Sequence, residues 1–152
     1  MSIIEKSIEV NVPEYTAYAQ WMKFEEFPQF MEGVKEVKRL DVKRFHWKAE
    51  IAGQVKEWDT EITEQAADQR LAWTSRGDVI KGWVVTFHRL SDAKSKVMLQ
   101  VEHDPQGLAE NAGEALGVMT QRVQGDLERF KELIEKRWRP PGRETIFDNF
   151  PM

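Results

Sequence analysis

Hydrophobic positions along this chain change their spacing twice, and each change marks a change of structure. Near the amino terminus Ile4, Ser7 and Val10 do not alternate strictly, but Ile8 and Val10 share one face of a short first strand. Asn11-Val12-Pro13-Glu14 reads as a helix start, with Pro13 in the first turn, where a missing N–H costs nothing. Tyr15, Tyr18 and Trp21 or Met22 follow at helical spacing. Phe24 to Met31 predicts a second short helical segment, interrupted at Pro28 and ended by Gly33. From Val34 to His103 the period is two, which means strands. Val34–Leu40 is the first of these, and Phe45, Trp47, Ala49 and Ile51 share a face of the next. Trp58 and Ile62, then Leu71 and Trp73, then Trp83, Val85 and Phe87, then Val97, Leu99, Val101 and His103 continue the alternation. The links are short, so the strands form an antiparallel meander. From about Leu108 to Arg137 the spacing is helical again, with Leu116, Thr120, Val123, Leu127, Phe130 and Ile134 in one stripe. At 1.5 Å per residue that helix is about 45 Å long and can lie across a whole sheet. The pattern predicts one α+β domain over 1–139, ordered as strand, two short helices, six strands and a long helix. A tail follows over 140–152.

Strand parity brings the tryptophans together. With Ala52-Gly53 as a hairpin tip, Trp47 lies opposite Trp58, Phe45 opposite Thr60 and Ala49 opposite Lys56. Centring the next turn on Ala66-Ala67 pairs Thr60 with Trp73 and Trp58 with Ser75. A loop centred on Val79 pairs Ser75 with Trp83 and Trp73 with Val85, and a last turn near Ala93 sets Trp83 opposite His103. Cross-strand neighbours touch, so four tryptophans from four successive strands share one face. They form either ordinary core under the long helix or the wall of a pocket. The band also carries Thr60, Ser75 and His103, whose polar groups need partners, and a pocket with a few convergent polar groups answers that need.

Composition narrows the chemistry. A chain of 152 residues suits one domain, and its lack of cysteine excludes disulfides, thiolate chemistry and cysteine-based metal sites. The opening Met1-Ser2-Ile3-Ile4-Glu5-Lys6 does not read as a signal peptide, and no run is long and apolar enough to span a bilayer. A cytoplasmic location is the expectation. The net charge of −4, with acids and bases interleaved, argues against nucleic acid as the main partner. Oligomeric state is open. Six tryptophans and eight phenylalanines are the unusual feature, suited to lining a pocket.

Few residues bear catalytic chemistry. His103 is the one weak catalytic candidate, yet Asp104 points to the opposite face of a regular strand and forms no dyad with it; a strand-end or cavity-wall role fits better. His46 and His88 have outward parity, and three dispersed histidines make no metal site. Glu57, Asp59, Glu61 and Glu64 read as a solvated strand face. Gly113 and Gly117 sit on the shoulder of the helix stripe, leaving room for a ligand or for close helix–sheet packing. Gly125 lies opposite the stripe. No phosphate loop, nucleophile elbow or dinucleotide fingerprint is present, so no cofactor is expected.

Several segments together resemble a known family. Val12-Pro13, Trp21 and Phe24-Glu25-Glu26-Phe27-Pro28-Gln29-Phe30-Met31-Glu32-Gly33-Val34 look like the opening of the bacterial polyketide cyclase/dehydrase-like proteins. His46-Trp47, Gly53, Glu57-Trp58-Asp59, Ala72-Trp73, Gly82 to Phe87 and Asp126-Leu127-Glu128-Arg129-Phe130-Lys131 continue the likeness, over about residues 3–136. That family belongs with the steroidogenic acute regulatory lipid-transfer domains and plant pollen allergens. The resemblance implies a helix-grip fold: a curved, seven-stranded antiparallel sheet around the long carboxy-terminal helix, with a hydrophobic cavity between them. It implies no single activity, since relatives include aromatase/cyclases, coenzyme Q-binding proteins, lipid carriers and a ribosome-association toxin. The glycine-rich loop of the pollen allergens is missing, and no catalytic residue of a true cyclase maps onto this chain. The leading expectation is a binding protein for a lipid-like, quinone or aromatic polyketide ligand, lined by Trp47, Trp58, Thr60, Trp73, Trp83, Phe87, His103, Leu116 and Val123. The alternatives are a cyclase/dehydrase acting in the same cavity through His103, and an interaction module acting through Ile146, Phe147 and Phe150 or an exposed sheet edge.

Overall fold

The computed structural model of the chain describes residues 2–51, 53–75, 80–103 and 112–138, excluding the side chains at 2, 51, 80, 81, 103 and 112–119. Strand β1 (Ser2–Val10) leads into helix α1 (Glu14–Trp21) and a 3₁₀ turn (Phe24–Gln29). Six strands follow: β2 (Val34–Arg39), β3 (Arg44–Ile51), β4 (Gln54–Ala66), β5 (Arg70–Ser75), β6 (Ile80–Ser91) and β7 (Lys94–His103). Helix α2 (Ala112–Arg137) comes last. The predicted helix start between Leu108 and Asn111, and the tail with Ile146, Phe147 and Phe150, lie outside the described residues.

The strands form one curved antiparallel sheet in the order β1-β7-β6-β5-β4-β3-β2. β2 to β7 are a plain meander, while β1 pairs with β7, so β1 and β2 are the two edges of the sheet. The link between them must cross the whole width of the sheet. α1 and the 3₁₀ turn make that crossing on the inner face, packing against β6, β7 and β2. α2 presents Val123, Leu127, Phe130 and Ile134 to the same face, all buried. Burying side chains of this size stabilises by about 1.5–3 kcal/mol each. This predicted stripe holds the helix to the sheet.

Several local expectations need correction. In β1, Ile4 shares the inner face with Ile8 and Val10, and Lys6 sits half-buried between them, so the alternation is regular but carries a charge. Pro13 is the residue capping α1 rather than part of its first turn; its carbonyl accepts from the backbone N–H of Thr16 and Ala17. Pro28 does not interrupt the second segment, because a 3₁₀ turn this short loses little by one missing donor.

Three registers also move. The β3–β4 pairing is as predicted, with Trp47 opposite Trp58, Phe45 opposite Thr60 and Ala49 opposite Lys56. Across β4–β5, Thr60 faces Ser75 and Ile62 faces Trp73, rather than Thr60 facing Trp73. The turn here is tipped by Asp68, whose φ is +64°, and a bulge falls between Ile62 and Glu64. Across β5–β6, Trp73 faces Trp83 and Leu71 faces Val85. Across β6–β7, Trp83 faces Val101 after a bulge between Arg89 and Ser91, and a second irregularity between Ile80 and Gly82 sets His103 opposite Ile80. The shifts to Ser75, Trp83 and Val101 are each of two residues, so these positions keep their predicted face.

Candidate functional site

The four tryptophans do form a continuous row. Trp58 stacks on Trp47 at 5.8 Å between ring centroids, Trp47 on Trp73 at 6.2 Å, and Trp73 on Trp83 at 5.7 Å. The interplanar angles are 18°, 25° and 10°. Trp47 leans across β4 to reach Trp73, and on the way its Nε1 donates to Thr60 Oγ1 at 2.7 Å. That bond answers the question posed by a hydroxyl in an apolar wall: Thr60 is satisfied by an indole.

The middle and the ends of the row differ. Trp47 and Trp73 are 2% and 1% exposed, because Phe24 and Phe27 of the 3₁₀ turn and Trp21 of α1 cover them. Trp58 and Trp83 are only half-buried, each with one indole neighbour in the row. The indole nitrogens of Trp21 and Trp73 are sealed from solvent without a hydrogen-bond partner. Both rings meet phenylalanines edge to face, Trp21 with Phe27 and Phe30 and Trp73 with Phe24, and aromatic faces are weak acceptors.

The other predicted positions distribute as follows. Phe87 is buried and packs edge to face on Tyr18, and Val123 is buried under α2. Ser75 is buried beside Thr60 in register. The side chains of His103 and Leu116 lie outside the described residues, as do those of Gly113 and Gly117. The backbone register sets His103 two positions beyond Val101, the partner of Trp83, and opposite Ile80. Glu57, Asp59 and Glu61 are exposed, as their parity predicts, and Glu64, which shares the parity of Ile62, is exposed beyond the bulge between the two. His46 lies among them, with Nε2 3.0 Å from Glu57 and Nδ1 2.6 Å from Asp59. Those contacts raise the His46 pKa above its ordinary value. His88 is exposed, with Nε2 3.0 Å from the Thr86 hydroxyl. Among the described residues no group of His, Asp and Glu could hold a metal ion, and no helix is long and apolar enough to cross a membrane.

A polar cluster on α2 was missed in the sequence. Asp126 is 3% exposed. Its Oδ1 accepts from the backbone N–H of Glu32 at 2.9 Å and from the Arg129 guanidinium. Arg129 Nε in turn donates to the Phe30 carbonyl at 2.9 Å. Burial pushes the Asp126 pKa up to about 6, against the opposing pull of these donors. A signal for it existed: Asp126 is three residues from Val123 and four from Phe130, which places it on the flank of the buried stripe. Gly125 now has an explanation as well. A Cβ there would lie 3.1 Å from an Arg129 guanidinium nitrogen, so its absence lets Arg129 fold back toward Asp126.

Comparison with known proteins accords with this architecture. Residues 10–132 match the family model described as polyketide cyclase/dehydrase and lipid transport. An uncharacterized 17.2 kDa protein from the melC2-rnhH intergenic region of Streptomyces lincolnensis is 49% identical over 146 residues, covering 95% of each chain. Among solved structures, the Zhui aromatase/cyclase of a Streptomyces species superposes with a TM-score of 0.77 at 14% identity, over 93% of this chain and 98% of that one. A START superfamily protein from Mycobacterium smegmatis gives a TM-score of 0.66 at 18% identity, over 84% and 97%. The fold is the helix-grip fold of these structures, and the chain belongs to the polyketide cyclase/dehydrase and lipid transport family.

Proposed function

We propose that this protein binds a small, flat, hydrophobic molecule between the inner face of the sheet and α2, stacked against the half-buried end of the tryptophan row at Trp83. The observation that carries this reading is the row itself, four indoles stacked one on the next with incomplete cover only at its two ends. A buried aromatic side chain hides about 150–250 Å², and apolar area is worth about 25 cal/mol per Å² removed from water. A planar aromatic laid on Trp83 extends the stack and removes that remaining surface from water. His103 and Leu116 are proposed as further walls of this end, and Trp47, Thr60, Trp73, Phe87 and Val123 as the packed floor behind it.

A tryptophan-fluorescence titration with a planar polycyclic quinone tests this. Saturable quenching is expected, with affinity at least about tenfold weaker in Trp83→Ala, since the lost stack is worth roughly 1.5 kcal/mol. Trp138→Ala, at the far end of α2, should bind as wild type. Absence of saturable binding for every quinone, sterol, fatty acid and polycyclic compound tried would sink the proposal.

A cyclase or dehydrase is the second reading, supported by the likeness in fold to an aromatase/cyclase and by the position of His103 on β7, two residues after the partner of Trp83. On this reading His103 moves a proton at a bound ketone. Turnover of a polyketone substrate that is unchanged in His103→Ala would remove that role.

A further inference from the structure

Trp58 closes the row of indoles at the end away from Trp83, and two cations stand at that end. The β3–β4 register sets Trp47 opposite Trp58 and, one step nearer the Gly53 turn on the same inner face, Ala49 opposite Lys56. On the other side of Ala49 is Val34, the residue after Gly33. Arg122 reaches this corner from α2. A Cβ on Gly33 would lie 3.3 Å from one guanidinium nitrogen and 3.6 Å from the guanidinium carbon, so the group rests against the bare glycine. Neighbouring strands are about 4.8 Å apart, which puts roughly 10 Å between the backbones at Gly33 and Lys56. A lysine side chain spans much of that gap, so both cations can meet one small anion.

Both are short of partners. Among the described residues neither the Arg122 nor the Lys56 side chain has a hydrogen bond or an ion pair. The carboxylates nearby are engaged elsewhere. Glu50 pairs with Lys35 at 3.6 Å, and Asp126, which attracts Arg122 along α2, accepts from the Glu32 N–H and from Arg129. Arg122 is half-buried, and a guanidinium does not lose its proton in a protein. Withdrawing such a charge from water without a counter-charge costs free energy. Trp58 is half-buried as well, and among the described residues Trp47 is the one ring it meets.

We propose that Arg122, Lys56 and Trp58 form a subsite for an aromatic carboxylate, with the ring laid on Trp58 and the carboxylate held between the two cations. Arg122 presents paired N–H donors that match the two oxygens of a carboxylate. Lys56, which is exposed, adds a point charge from the solvent side. A neutral ring of the same shape keeps the stack and loses the charge-assisted bonds, so the subsite selects an acid over its amide. A guanidinium that served only to pack on Gly33 would not tell the two apart. The subsite lies at the opposite end of the row from Trp83 and requires nothing to be bound there.

NMR titration of the full chain with anthraquinone-2-carboxylate, and separately with its carboxamide, tests this. The signals to follow are the Arg122 Nε–H and the indole N–H of Trp58 and of Trp83. In wild type the acid should shift Arg122 and Trp58, binding there about tenfold more tightly than the amide. Added salt should narrow that preference. Arg122→Gln should bring acid and amide level, and Lys56→Gln, at an exposed position, should cut the preference by roughly two- to threefold. Equal binding of acid and amide at Trp58, no shift there with either, or a full preference in Arg122→Gln overturns the proposal. Shifts confined to Trp83 overturn it too, while leaving the reading at that end intact. Should Arg122→Gln fail to fold, the acid–amide comparison in wild type and in Lys56→Gln decides.

Discussion

Thr60 shows how one hydroxyl settles inside a wall of indoles. Its Oγ1 accepts the Trp47 N–H at 2.7 Å, and both side chains are buried. Replacing Thr60 with the isosteric valine leaves that N–H without a partner in an apolar interior, at a cost of about 1–3 kcal/mol. Thr60→Ser keeps the acceptor and should recover most of the loss. Urea unfolding of the two variants separates the effects. Equal stability of Thr60→Val and wild type would mean that the bond contributes nothing, and that Trp47 is held by stacking alone. The same pair marks a limit of reading from sequence. Parity puts Thr60 on the tryptophan face, but the partner of its hydroxyl depends on Trp47 leaning across a strand, and strand periodicity says nothing about lean.

At the scale of elements, turn geometry decided which pairings were legible. The β3–β4 hairpin turns at Gly53 with φ of +79°, a conformation glycine adopts at no steric cost, and its register was correct from the sequence. The β4–β5 turn is tipped at Asp68, one of the few non-glycine types that tolerates a positive φ, and nothing nearby announced the bulge beyond it. The mispairings that followed for Thr60, Trp73 and Trp83 left each on its predicted face, so the tryptophan band survived them. Gly33 is the turn where a substitution is most informative. It links the 3₁₀ turn to β2 with φ of +85°, and a Cβ there would lie 2.8 Å from the Glu50 carbonyl oxygen, which cannot move without disturbing β3. Gly33→Ala combines left-handed strain of about 1–2 kcal/mol with that clash. A thermal unfolding midpoint lowered by several degrees is expected, and an unchanged one would mean the segment can re-route without loss.

Across the whole molecule, charges pull stability in opposite directions along the pH scale. Arg137 bonded to Glu26, Lys94 bonded to Glu9, and the Lys43 N–H bonded to Asp41 hold those three carboxyls below their ordinary pKa values. Their contribution is present above about pH 4.5 and lost as pH falls through the lowered values. Asp126 acts the other way. Its pKa is raised to about 6, so between 3.8 and 6 the folded state binds more protons than the unfolded one, and stability drops as pH rises. His46, raised by its contacts with Glu57 and Asp59, adds to that decline as pH climbs through its folded pKa. The two trends cross in the mildly acidic range, so the urea midpoint should peak around pH 5 rather than at neutrality. Asp126→Asn removes the larger source of the decline. It should raise the midpoint at pH 7.5, by an amount on the order of 2–3 kcal/mol, and leave the acid limb in place. A wild-type maximum at pH 7 or above, or an unchanged neutral midpoint in Asp126→Asn, would show that the helix carries its buried carboxylate without strain. A peak that moves toward neutrality in the variant would tie the stability of the whole chain to one proton on α2.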